Sequence, residues 1–218
     1  MNSIENRIIW VFREGRSGGT SAAEVIYRKL NRQYIFVDSS LYPSTFYKKQ
    51  GHQIFVQKEQ DHKLLFNTHY FPALHSMCNY DDPILIRISR KNVVEQCLSF
   101  LAGQSMNWKF TNLKANGETQ NLEIFEEFIK SKILIKKSDV DFFARHRMKQ
   151  NYLWNHYAPD YDNQVIYYED MMTNIDIPLL NLYNVTLTSE TLKLPDYKKE
   201  VFVNYEDVEK WLSVYPNL

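Results

Sequence analysis

The sequence predicts an α/β domain in which a mostly parallel sheet is flanked by helices in three layers. Short apolar runs alternate along the chain with longer stretches of helical period, which is the pattern of strands joined by helical crossovers. The first of these runs, Ile8-Ile9-Trp10-Val11-Phe12, is apolar without interruption and reads as a strand buried on both faces. With 218 residues, 44% apolar and 15% aromatic, the chain can build one substantial core, and its length suits a single domain over 1–218.

A polar, glycine-containing turn over 13–19 follows the first strand, and a helix is expected over 20–30. Tyr34-Ile35-Phe36-Val37 and Lys63-Leu64-Leu65-Phe66 read as strands, and Ile84-Leu85-Ile86-Arg87-Ile88 as a fourth, with a helix over 91–103 behind it. The middle of the chain is helical: Leu122, Phe125, Phe128, Ile129 and Ile133 follow the helical period over 121–135. A longer helix over 138–157 ends just before Pro159. Gln164-Val165-Ile166-Tyr167-Tyr168 is a late strand. There is no internal repeat, low-complexity tract or linker rich in Gly, Pro or Ser. In this architecture ligands bind at the carboxyl ends of the strands, so the residues at those ends carry the functional question.

Charge and cysteine content narrow the classes. Lys plus Arg and Asp plus Glu both number 26, so the formal net charge is zero. That argues against a general nucleic-acid binder, which carries a basic excess. Cys78 and Cys97 form no CxxC or metal-like cluster and read as reduced, buried small hydrophobes. Residues 1–7 lack the apolar core of a signal peptide, and no apolar run is long enough to span a bilayer. The expectation is a cytoplasmic protein with no membrane anchor.

Two strand ends have the chemistry of anion sites. After the first strand comes Glu14-Gly15-Arg16-Ser17-Gly18-Gly19-Thr20-Ser21. Glycines let backbone N–H groups approach an anion, a helix N-terminus adds donors and positive partial charge, and Arg16 adds a full charge. The same residues also suit a tight strand-to-helix turn with a hydroxyl N-cap. The loop is not a Walker A loop, which needs Gly-Lys before Ser or Thr; this argues against ATP or GTP. The fourth strand ends at Ser89, placing Arg90 and Lys91 at its carboxyl end. On the following helix Asn92, Gln96, Ser99 and Gly103 share a stripe, while Val94, Cys97, Leu98 and Leu101 face the core. Either this is a solvated helix face with a basic cap, or it holds a second phosphate. Two anion sites on neighbouring βα units would take a ligand with two separated phosphates.

At these residues the chain resembles the family of sulfotransferases that use 3′-phosphoadenosine 5′-phosphosulfate (PAPS). Arg16-Ser17-Gly18-Gly19-Thr20-Ser21 resembles the family's 5′-phosphosulfate loop, and Arg90 with Ser99 its 3′-phosphate motif. The spacing from Arg90 to Ser99 is closer to bacterial members than to the animal cytosolic enzymes, which place the serine one residue nearer. Leu65-Phe66-Asn67-Thr68-His69-Tyr70 is similar to the Lys-Thr-His segment whose histidine is the catalytic base, with Asn67 in place of the lysine. Tyr168-Glu169-Asp170-Met171 is similar to the Tyr-Glu-Asp-Leu that follows a late strand in many members. The Arg-Lys-Gly loop near the C-terminus of animal members is absent.

The resemblance implies a P-loop-like fold of the nucleotide-kinase type and a sulfuryl transfer from PAPS to a hydroxyl or amine of a small-molecule or carbohydrate acceptor. It releases 3′-phosphoadenosine 5′-phosphate (PAP) and requires no metal. Arg16 and His69 would be the catalytic residues, and Arg16, Ser17, Gly18, Gly19, Thr20, Ser21, Arg90 and Ser99 would hold the donor. His62, His75, Asp38 and Glu59 are the alternatives to His69 as base. Arg145, His146 and Arg147 read as a solvated face of the long helix. The acceptor pocket is expected from 39–61 and 104–120, where Trp108 and Phe110 are candidates for a lid. Two other readings fit the same architecture: a non-catalytic protein that binds a nucleotide or sulfated ligand, and a small-molecule kinase, which would need the missing loop lysine.

Overall fold

The computed structural model describes residues 7–14, 19–30, 35–38, 64–68, 83–105, 127–171, 173–187, 198–216 and 218. The chain divides into two compact units. The first comprises Met1–Lys91 and Gln150–Thr191, the second Asn92–Lys149 and Leu192–Leu218.

The first unit is built on a five-stranded sheet of β1 (Ile9–Arg13), β2 (Ile35–Asp38), β3 (Leu64–Thr68), β4 (Ile84–Ser89) and β5 (Asp162–Tyr167). Their order is β2-β3-β1-β4-β5, and every neighbouring pair is parallel. β1 and β4 are buried along their whole length, as uninterrupted apolar runs require. Because side chains alternate between faces, β1 and β4 supply two cores. Ile9, Val11, Ile84, Ile86 and Ile88 pack with Leu65 against Ala22, Ala23 and Ile26 of helix α1 (Gly19–Lys29). The two alanines let α1 lie close to the strands. Trp10, Phe12 and Leu85 form the other core with Trp154 and Ala158. There Trp10 stacks on Phe12 at 5.9 Å, and Phe12 meets Trp154 edge-on at 6.1 Å. An α/β unit with a parallel sheet and helices is therefore what the apolar runs build.

A small antiparallel pair, β6 (Ile175–Ile177) and β7 (Leu182–Val185), completes the first unit and was not expected from the sequence. A short 3₁₀ turn, Pro178–Leu180, joins the two and ends at Asn181, whose φ of 53° lies in the left-handed region that asparagine tolerates better than most residues.

The second unit is helical. It contains α2 (Val93–Ser105), residues 137–149 of α3 (Lys137–Tyr157), and two short C-terminal helices, α4 (Lys198–Val201) and α5 (Glu206–Leu212). Cys97, Leu98, Leu101 and Ala102 of α2 pack with Val140, Phe143 and Ala144 of α3 and with Val201, Phe202, Val208 and Leu212. The helix expected over 121–135 is helical at 127–130 among the described residues, and its last residues are not helical. Ile133 instead bridges to Phe202: its N–H donates to the Val201 carbonyl at 2.9 Å, and its carbonyl accepts from the Val203 N–H at 3.0 Å. Asn204 then brackets Ile135, accepting from its N–H at 2.8 Å and donating to its carbonyl at 3.2 Å. These partners satisfy the backbone groups that a longer helix would have satisfied. Cys97 is a free buried thiol whose pKa burial pushes up to about 12, so it behaves as a hydrophobe; Cys78 lies outside the described residues. Among the described residues no helix is long and apolar enough to cross a membrane.

Candidate functional site

The strand order creates one distinctive position. From the carboxyl end of β1 the chain passes through α1 toward β2 at one edge of the sheet. From β4 it leads on to β5 at the other edge. β1 and β4 are neighbours whose outgoing connections run to strands at opposite edges of the sheet, which makes this pair of strand ends the topological switch point at which α/β sheets bind ligands. In sequence, the two segments expected to bind anions, 14–21 and 89–92, follow these two strand ends.

At the exit of β1, Glu14 is buried and its N–H donates to the Ile88 carbonyl at 3.1 Å, extending the β1–β4 ladder by one residue. Its Oε1 accepts from Arg87 Nε at 2.9 Å, from Arg87 Nη2 and from Ser89 Oγ at 2.8 Å. Arg87 Nη2 also donates to Asn151 Oδ1, and the guanidinium lies 5.8 Å from the centre of the Trp154 ring. Arg87 and Glu14 expose only 7% and 0% of their side chains. A charge so deeply buried persists because its counter-charge and hydrogen bonds are in place. This network ties the last residue before the first loop to the end of β4.

At the exit of β4, Arg90 and Lys91 meet the turn that follows β5. Arg90 lies over the Tyr168 ring at 4.7 Å, and its Nε is 3.7 Å from Glu169 Oε1. The Lys91 main-chain N–H donates to Glu169 Oε2 at 2.9 Å, and Lys91 Nζ pairs with Asp170 Oδ1 at 2.7 Å. That hydrogen bond, with the nearby Asp170 and Glu169 charges, raises the Lys91 ammonium above its ordinary pKa. The turn is held beside β4 by the Tyr168 N–H, which donates to the Ser89 carbonyl at 2.8 Å. The Tyr-Glu-Asp segment therefore lies against the Arg-Lys pair.

The expected site residues fall in several places. Gly19, Thr20 and Ser21 form the first turn of α1, while Arg16, Ser17 and Gly18 lie outside the described residues. His69, directly after β3, and the alternatives His62, His75 and Glu59 also lie outside them; Asp38 ends β2. Arg90 stands at the carboxyl end of β4 in the first unit. Ser99 is on α2 in the second unit and is buried.

The α2 stripe is not a solvated face, since Gln96, Ser99 and Gly103 are buried along with the apolar side of the helix. Asn92 caps the helix instead of lining the stripe, its Oδ1 accepting from the Glu95 N–H at 3.0 Å. The basic cluster on α3 divides: Arg145 and His146 are exposed as expected, whereas Arg147 is buried and donates to Gln96 Oε1. Sequence reasoning passed over Glu14 and Arg87 as a pair. The signal was Arg87 itself, a charge inside an otherwise apolar strand, which requires a buried counter-charge nearby. No family model, curated protein or solved structure matches the chain.

Proposed function

We propose that this chain is a PAPS-dependent sulfotransferase of P-loop-like, three-layer architecture, acting in the cytoplasm on a hydroxyl or amine of a small-molecule or carbohydrate acceptor. One observation carries the reading. The two segments that resemble the family's 5′-phosphosulfate and 3′-phosphate motifs leave from adjacent parallel strands at the switch point of one sheet. A ligand with two separated phosphates would meet both at these strand ends.

The donors at the end of β4 suit an oxyanion, because Arg90 and the Lys91 N–H already face a carboxylate there. PAPS, when bound, supplies an activated sulfuryl group. Arg90 would hold its 3′-phosphate, and residues 16–21 would hold the 5′ side with loop N–H groups, hydroxyls and the Arg16 charge. Such donors would stabilise the charge that builds on the leaving oxygen. Glu14 anchors the start of that loop through the buried Arg87 contact. His69 would take the acceptor's proton, since an unperturbed imidazole titrates near pH 6.5 and is mostly neutral at physiological pH.

Calorimetry with PAP, with ATP as the comparison, tests the donor site. PAP is expected to bind with ATP weaker, and Arg90→Ala should cost about 10- to 100-fold in affinity, the range for losing a charge-assisted hydrogen-bonding partner. Folded protein that ignores PAP would leave the reading without support.

A further inference from the structure

The contact between Arg90 and Glu169 has a consequence for the donor site that the family resemblance does not contain. Glu169 uses both carboxylate oxygens, one facing the Arg90 guanidinium and one accepting the Lys91 main-chain N–H. A guanidinium together with a backbone N–H at a strand-to-helix junction is the donor pair a phosphate would use. From this we infer that Glu169 is the internal counter-ion of the 3′-phosphate site: it pairs by charge with Arg90 and accepts from the Lys91 N–H when nucleotide is absent, and a phosphate displaces it. The inference rests on the sulfotransferase reading.

The two partners are held unequally. The Arg90 side chain is 14% exposed and lies over the Tyr168 ring, so it is fixed from below. The Glu169 side chain is 31% exposed and sits at 3.7 Å from Arg90 Nε, an ion-pair distance longer than a hydrogen bond. Exchange therefore moves the glutamate toward water and leaves the arginine in place. A phosphate monoester carries more charge than a carboxylate and has three terminal oxygens instead of two, so it can win this competition, though at reduced net affinity. When PAP departs, Glu169 takes the donors back, and they are not left to be re-solvated. Glu169 thus lowers the affinity of the site and speeds release of the product.

The test compares PAP with adenosine 5′-phosphosulfate, which lacks the 3′-phosphate, on wild type, Glu169→Gln, Asp170→Asn and Arg90→Ala. Glutamine keeps an oxygen for the Lys91 N–H and removes the charge. Asp170→Asn removes the neighbouring charge, which pairs with the exposed Lys91 ammonium. Glu169→Gln should tighten PAP about 10-fold, mainly through slower dissociation, with adenosine 5′-phosphosulfate unchanged within about twofold. Asp170→Asn should leave both ligands unchanged. Unchanged or weaker PAP binding in Glu169→Gln would make the residue a structural brace and overturn the inference. Equal tightening of both ligands, or the same gain in Asp170→Asn, would reduce it to a general charge effect and also overturn it. PAP binding that is lost in Arg90→Ala but not improved in Glu169→Gln would defeat the counter-ion role alone. Absence of PAP binding in wild type would defeat the sulfotransferase reading and the inference with it.

Discussion

Glu14→Ala is expected to destabilise the protein by about 3–5 kcal/mol, the cost of removing one partner from a buried ion pair. The loss comes less from the missing attraction than from what remains. Arg87 would stay enclosed in β4 without the carboxylate that pairs with it there, and Ser89 would lose the oxygen it donates to. Glu14→Gln should cost less, because the amide oxygen can still accept from Arg87 and Ser89. The double variant Glu14→Leu/Arg87→Met should recover much of the stability, since an apolar pair of similar volume avoids the desolvation cost of two charges. Urea unfolding at neutral pH measures all three, provided the slopes agree. A Glu14→Ala cost below about 1 kcal/mol would mean that Arg87 finds another counter-charge or reaches water. A double variant no better than Glu14→Ala would assign the pair to packing rather than charge.

The second large effect concerns catalysis. His69→Ala is expected to lower the rate of sulfuryl transfer by about 10²- to 10⁴-fold, the usual contribution of a general base, while leaving PAP affinity unchanged. The two readouts together separate the readings that share this architecture. An enzyme whose base is His69 loses rate and keeps nucleotide. A carboxylate base, with Asp38 or Glu59 the candidates, leaves the rate of His69→Ala near wild type. A binding protein transfers nothing before or after the substitution. Asn67, which stands where the sulfotransferases the chain resembles have lysine, makes the measurement informative: on the proposed reading that supporting charge is missing, and any rate would rest on Arg16 and the loop donors.

Much of the first unit was legible because its strands obey one simple rule. Apolar runs such as Ile84 to Ile86 have nowhere to go but a sheet covered on both faces, and all five expected strands occur within one or two residues of their expected bounds. The places of Glu14 and Arg90 were legible for the same reason, since the residues directly after such a run must lie at its carboxyl end. What escaped depends on contacts rather than on period. β6 and β7 are short, and Asn181 joins them through a local turn instead of a hydrophobic pattern. Residues 131–135 have a helical pattern but are claimed by Phe202 and Asn204, far along the chain. The stripe on α2 looked amphipathic, yet Gln96 is buried because Arg147, a buried residue of α3, brings it a charged donor. Polar residues that satisfy one another inside a core are indistinguishable, in sequence, from polar residues that face water.

The parallel order of the sheet also governs how the chain must come together in time. No two neighbouring strands of the five-stranded sheet can be closed by a hairpin: Ile9 pairs with Ile84, and Ile84 with Asp162, across long intervening segments. Loop-closure entropy is therefore lost before the pairings compensate it, which makes assembly slow for a protein of this size. During synthesis β4 emerges well before β5, and until then its outer edge offers unpaired backbone groups flanked by isoleucines and leucine. That is a template for pairing with another chain. A chain cut short before Asp162 would keep this edge permanently, and would be expected to aggregate rather than settle into a smaller fold.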